Sequence, residues 1–137
     1  MSICFSKRSL HNLEGVHEDL YAVCRKAQEY VGRINGLDFI ITDGCRTLEE
    51  QVEFVKAGKS RTMHSRHLGG LAIDYVALVN GRVTYDEDYM GAVAECFKRA
   101  AAELGIPIHW GGDWVSFKDT PHIELDKRVY PDALESA

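Results

Sequence analysis

Two histidines and an aspartate hold the chemistry that this chain makes available. In Ser65-Arg66-His67-Leu68-Gly69-Gly70-Leu71-Ala72-Ile73-Asp74 a histidine and an aspartate stand seven residues apart, joined by a glycine pair and a short apolar run. A further histidine, His122, follows Pro121 and lies 48 residues beyond that aspartate. Two imidazoles and one carboxylate form a ligand set for zinc, and catalytic zinc sites use three such ligands while leaving a fourth position for water. The order His, Asp, His therefore implies a metal-dependent hydrolase. Taken singly, each residue has a plainer reading: a strand aspartate hydrogen-bonded in a core, or a packed or exposed histidine. His64, His109, His11 and His17 compete as ligands. His64 and His67 would share a face only on a helix, and their loop has no helical pattern. His11 and His17 have no carboxylate partner in a motif. All four are read as non-ligands.

The elements around these residues explain how they could meet. Leu71 to Val79 is rich in β-branched and aromatic residues and reads as a strand. Asn80-Gly81 follows, then Arg82-Val83-Thr84-Tyr85, the pattern of a tight hairpin. Asp74 thus sits inside a strand, sharing a face with Ala72 and Val76. His67 lies on the loop that feeds it, and Gly69-Gly70 would let that loop fold back. His122-Ile123-Glu124-Leu125 reads as another short strand, with His122 and Glu124 on one face; pairing it near Asp74 would complete the site.

The rest of the chain reads as scaffold. A first helix is expected from Val16 to Ile34, with Val16, Leu20, Val23, Ala27 and Val31 as its apolar stripe. Leu37 to Thr42 is a strand, and Asp43-Gly44-Cys45 turns the chain. Thr47-x-x-Glu50 is a capping box, placing a second helix from about Leu48 to Gly58. Arg46 falls on the connection between them, where function often sits. Residues 58–66 are polar and basic, either a solvated loop or a flap over a substrate. A third helix is expected from Asp88 to Leu104, with Tyr89, Val93, Phe97, Ala100 and Leu104 on one stripe and Gly105 as the stop. Ile106 to Trp110 reads as a strand with a proline near its start, so either an edge strand or one that begins at the proline, because proline lacks a ladder donor. The sum is an α+β fold, three helices on a small, mostly antiparallel sheet, with the metal site on its open face or edge.

Several motifs resemble one family. Ser-x-His-x-x-Gly-x-Ala-x-Asp followed by His-x-Glu is similar to the zinc D-Ala-D-Ala carboxypeptidase and dipeptidase superfamily, most closely its phage endolysin branch of L-alanyl-D-glutamate peptidases. The resemblance runs from residue 5 to residue 125. It includes Phe5-Ser6-x-Arg8-Ser9-Leu10, Gly44-x-Arg46-Thr47 and Trp110-Gly111-Gly112-Asp113-Trp114. It implies one zinc ion on His67, Asp74 and His122. It implies Asp119, three residues before the last ligand, as general base, and Arg46 as the group that binds substrate and polarises its carbonyl. A turn-forming role for Asp119 and a surface ion pair for Arg46 are the alternatives. Ser65 could donate a hydrogen bond to substrate or to its own loop, and Glu124 could orient a ligand imidazole. Trp110 and Trp114 could line the cleft or belong to the core.

Composition sets outer bounds. The chain has 137 residues, enough for one domain with a core of its own, and no internal repeat. A net charge of −5 without a basic block argues against nucleic acid as partner. No apolar run is long enough to span a membrane. The start lacks the apolar segment of a secretory signal. Cys4, Cys24, Cys45 and Cys96 are scattered, as expected of reduced thiols in a cytosolic protein; a nucleophilic Cys45 beside Arg46 is disfavoured. The family resemblance reconciles a wall-directed enzyme with the missing signal: synthesis in the host cytoplasm, then release when holins open the inner membrane. The expected partner is the peptidoglycan stem peptide, the expected state a monomer, and no separate wall-binding domain is expected. The expected reaction is hydrolysis of the L-Ala–D-Glu bond. A D-Ala-D-Ala carboxypeptidase or dipeptidase would use the same metal residues, and a non-catalytic wall-binding module of the same fold is the third reading.

Overall fold

The computed structural model describes residues 5–59, 65–115 and 118–131. Four α-helices pack on a small antiparallel sheet. In chain order the elements are α1 (Lys7–Asn12), α2 (Glu18–Val31), β1 (Leu37–Asp43), α3 (Leu48–Lys56), β2 (Ala72–Val79), β3 (Arg82–Thr84), α4 (Glu87–Leu104), β4 (Ile108–Trp110), a 3-10 turn (Gly111–Asp113) and β5 (His122–Leu125). The sheet runs β1-β2-β5-β4, with β3 paired to β2 beyond this path, and every pairing is antiparallel. β2 is the organising strand, since it bonds to β1, β3 and β5.

Alternation along β2 separates core from site. Ile73, Tyr75 and Ala77 are buried, and period two puts them on one face. Tyr75 packs near Phe39 of β1 and Phe97 of α4, with ring centroids 6.5 and 5.5 Å away. Its hydroxyl donates to the Met90 carbonyl at 2.7 Å, so a buried polar group is satisfied where α4 meets the sheet. Leu20, Val23, Ala27 and Val31 of α2 close the same core. Asp74 points the other way.

The hairpin at Asn80-Gly81 forms as its sequence requires, both residues having positive φ, 51° and 81°. The capping box at Thr47 and Glu50 is also present. Three helix expectations need correction. The described residues form four helices, because Ser6 caps the six-residue α1 with its side chain accepting from the Ser9 amide; an element this short shows no periodicity. α2 is shorter than Val16 to Ile34: the His17 side chain caps it and Gly32 ends it. In α4 the buried face is Met90, Val93, Ala94, Phe97, Ala100 and Ala101, whereas Tyr89 and Leu104 are exposed. Val93, Phe97 and Ala100 of the expected stripe are buried, and only its end residues, Tyr89 and Leu104, fall outside the buried face.

The approach to β2 is held by a close contact. Gly69 and Gly70 have φ of 73° and 74°, and the Gly70 carbonyl accepts from the His17 amide at 2.9 Å. A Cβ on Gly70 would stand 2.4 Å from the Gly15 carbonyl oxygen. Gly70→Ala should therefore lower unfolding stability by about 1–3 kcal/mol, combining a disfavoured φ with a backbone clash. Denaturant unfolding measures this; an unchanged midpoint would show that the turn relaxes freely.

Candidate metal centre

Three elements bring the predicted ligands together. β5 pairs with β2 so that Asp74 lies opposite His122. His67 comes from the loop before β2, where its carbonyl accepts from the Arg46 amide at 2.8 Å. One ligand atom from each of His67, Asp74 and His122 lies within 4.8 Å of the others, and this is the one such group found among the described residues. His67 Nε2 and His122 Nδ1 each stand 3.4 Å from Asp74 Oδ1. The two rings meet edge to face, with centroids 5.5 Å apart.

The remaining ring nitrogens are already engaged. His67 Nδ1 lies 2.8 Å from the Gly44 carbonyl oxygen. A carbonyl only accepts, so Nδ1 carries the proton and Nε2 presents its lone pair. His122 Nε2 lies 2.9 Å from Glu124 Oε1, which leaves Nδ1 facing Asp74. Asp74 Oδ1 itself is buried and has no hydrogen-bond partner. At 3.4 Å neither imidazole is aligned as a hydrogen-bond donor to it. An orphaned carboxylate oxygen between two free nitrogen lone pairs fits a divalent cation with nitrogen and oxygen ligands.

The electrostatics follow from this crowding. Burial pushes the Asp74 carboxyl up, but the adjacent imidazoles of His122 and His67 outweigh it and hold the carboxyl well below its usual range. Burial alone would lower the His122 pKa, yet whenever no cation is bound Asp74 and Glu124 together raise it to about 9, by holding on Nδ1 a proton that a bound cation would displace. For Asp119 the shift is upward, first from burial and then from the Asp74 carboxylate, with both imidazoles opposing it. An upward shift beside the ligand set is the direction that acid–base work requires.

Asp119 shares a cavity of about 230 Å³ with Arg46, Lys59, Ser65, His67, Asp74 and His122. Its amide donates to the Gly111 carbonyl and its carbonyl accepts from the His122 amide. Trp110 anchors the same turn, its Nε1 donating to the Thr120 carbonyl at 2.7 Å; it braces the site rather than lining the cavity. Trp114 stands against the His122 ring at 5.2 Å.

Arg46 is more deeply built in than a surface ion pair. Its Nη2 bonds Asp43 Oδ2 at 2.5 Å and its Nε reaches the same oxygen at 3.1 Å. Nη1 donates to Gln51 Oε1 at 3.0 Å and to Ser65 Oγ at 3.4 Å. The guanidinium lies 4.1 Å over the Phe54 ring. Ser65 Oγ also accepts from the His67 amide, which ties the arginine to a ligand loop. Gln51 and Asp43 were not singled out from sequence. Gln51 is fully buried on α3, four residues after the Thr47 cap; a polar residue on an inward helix face was the available signal.

The competing histidines lie elsewhere. His109 bonds Asp126 at 3.0 Å on β4, His17 caps α2, and His11 approaches Glu14 on the surface. His64 and most of the suggested flap lie outside the described residues. Cys24, Cys45 and Cys96 are free. Burial, Glu50 and Asp43 raise the Cys45 pKa, opposite to what a nucleophilic thiol needs.

Two histidines and an unpaired carboxylate, with a second carboxyl beside them on this sheet, form a group that could hold a metal ion. The family model described as phage L-alanyl-D-glutamate peptidase matches residues 1–132, and the chain belongs to that family. It is 33% identical over 130 residues to an L-alanyl-D-glutamate peptidase of Listeria phage A118, covering 95% of this chain but 45% of that protein. It is 32% identical over 134 residues to the L-alanyl-D-glutamate peptidase of Escherichia phage T5, covering 95% of this chain and 94% of that one. Among solved structures, the Serratia marcescens L-Ala D-Glu endopeptidase ChiX matches with a TM-score of 0.82 and 44% identity, covering 93% of this chain and 92% of that chain.

The arginine's surroundings give a test. Asp43 lies opposite Asp74 in the β1–β2 register, and like charges facing each other destabilise a sheet. Arg46→Ala should cost about 1–3 kcal/mol by removing the donor to Asp43 Oδ2 and one donor to Gln51 Oε1. Arg46→Lys should recover part of the stability but not the forked contact. Thermal unfolding of both variants checks this; equal stability of all three proteins would reduce the arginine to a passive neighbour.

Proposed function

We propose that this chain is a zinc-dependent peptidoglycan peptidase that hydrolyses the L-Ala–D-Glu bond of the stem peptide. The observation that carries the reading is Asp74 Oδ1, buried and unpaired between His67 Nε2 and His122 Nδ1, in a cavity also lined by Asp119 and Arg46. Zinc in such a setting polarises a carbonyl and lowers the pKa of water to about 7. His67, Asp74 and His122 would hold the ion. Asp119 accepts the proton of the attacking water and passes it to the departing amine nitrogen of D-Glu as the C–N bond breaks. Arg46, kept in place by Asp43, Gln51 and Phe54, offers donors to the substrate's carbonyl or carboxylate oxygen. Ser65 positions that arginine and the His67 loop, and Trp114 forms a wall beside His122. The described elements act as one catalytic unit. In a phage setting the enzyme reaches the wall after release through an opened membrane; among the described residues no helix is long and apolar enough to cross one.

Mass spectrometry of purified sacculi digested by the zinc-loaded protein tests the reading. New amino-terminal D-Glu and carboxy-terminal L-Ala are expected, and chelation should stop their release. Free D-Ala as the sole product would instead mark a D,D-peptidase, and intact muropeptides a binding module. Asp119→Ala should keep stoichiometric zinc and lose about 10²–10⁴-fold in turnover. Activity within a few-fold of wild type would leave Asp119 as a turn residue only.

A further inference from the structure

Arg66, Glu124 and His122 form a connected chain behind the ligand set. His122 Nε2 lies 2.9 Å from Glu124 Oε1. The other carboxylate oxygen, Oε2, accepts from Arg66 Nε at 3.2 Å. Arg66 Nη2 donates to the Leu125 carbonyl at 2.8 Å. The side chains are little exposed, 8% for Arg66, 13% for Glu124 and 10% for His122. Arg66 stands next to His67 in the chain, on the loop that carries the first ligand, whereas Glu124 and His122 belong to β5. The ion pair therefore fastens one ligand-bearing element to another without using a ligand atom.

We propose that Glu124, anchored by Arg66, is a positioning residue that fixes the His122 ring so that Nδ1, and not Nε2, is the metal-binding nitrogen. The chemistry is one-sided. An ionised carboxylate only accepts, so the nitrogen it faces must carry the hydrogen. The other nitrogen then keeps its lone pair, and here that nitrogen faces Asp74 Oδ1. A freely rotating imidazole would offer either nitrogen, Nε2 being the more exposed of the two on an ordinary side chain. Carboxylates in this position fix ring orientation, and losing one commonly costs 10- to 100-fold in metal affinity. The arginine adds what a lone carboxylate lacks. It holds Glu124 from the far side through a charge-assisted bond and links that hold to the His67 loop, so the two imidazoles are set in register before any ion arrives. His67 reaches the same end by different means, its Nδ1 being held by a backbone carbonyl.

The inference rests on the metal reading of the site, and the test separates the two. In the zinc-loaded wild-type protein, long-range ¹H–¹⁵N correlation spectra should show His122 metal-bound at Nδ1 and protonated at Nε2. Zinc bound through Nε2 of His122 would overturn the positioning role while leaving the peptidase reading intact; no zinc at His122 at all would overturn both. Chelator competition should then show about 10- to 100-fold weaker zinc binding for Glu124→Ala. Glu124→Gln keeps the shape and an acceptor oxygen but lacks the charge that holds Arg66, so it should fall between the two. A purely structural glutamate would lower the melting temperature of both variants while zinc affinity stayed within two-fold of wild type, and that result would also refute the proposal.

Discussion

Oδ1 of Asp74 is a buried carboxylate oxygen that accepts no hydrogen bond, held 3.4 Å from a nitrogen of each flanking imidazole. Leaving such a group unpaired costs more than the roughly 1–3 kcal/mol typical of a neutral buried polar atom. The fold keeps it there by making Asp74 part of its most constrained strand. β2 bonds to β1, β3 and β5, and its opposite face is locked into the aromatic core by Tyr75. The side chain is thus positioned by sheet geometry rather than by partners of its own, and a cation is the partner that its surroundings lack.

Charge is balanced in two layers around this oxygen. Asp43, across the sheet from Asp74, is neutralised by Arg46, which is itself fixed by Gln51, Ser65 and Phe54. Behind His122, Glu124 is neutralised by Arg66. Asp43 and Glu124 thus each have an arginine as counter-charge, whereas Asp74 has none of its own and Asp119 has its pKa raised by burial and by Asp74. In the proposed mechanism Asp119 is the carboxyl that moves a proton beside the cation.

Much of this was legible in the sequence where a short-range rule decides the structure. The β-branched and aromatic run from Leu71 to Val79, the Asn80-Gly81 turn and the Thr47–Glu50 capping box each depend on neighbours in the chain, and each appears as read. His67 and His122 could be tied to Asp74 because the glycine pair and the β5 pattern leave few ways to fold. What escaped depends on long-range packing. Nothing local distinguishes Tyr89 from Met90 as the first inward residue of α4; packing against α2 and the sheet chooses between them. Gln51 looks like any surface glutamine until Arg46 is seen beneath it. The burial of Arg46 was missed for the same reason, since a turn between a strand and a helix ordinarily lies in solvent.

Anomalous diffraction at the zinc edge, from crystals grown with one equivalent of zinc, tests the central claim most directly. The account predicts a single strong peak bonded to Asp74 Oδ1, His67 Nε2 and His122 Nδ1, at distances of about 2.0–2.2 Å. A peak on His109 and Asp126 with the Asp74 site dark, or no peak at all, would contradict it.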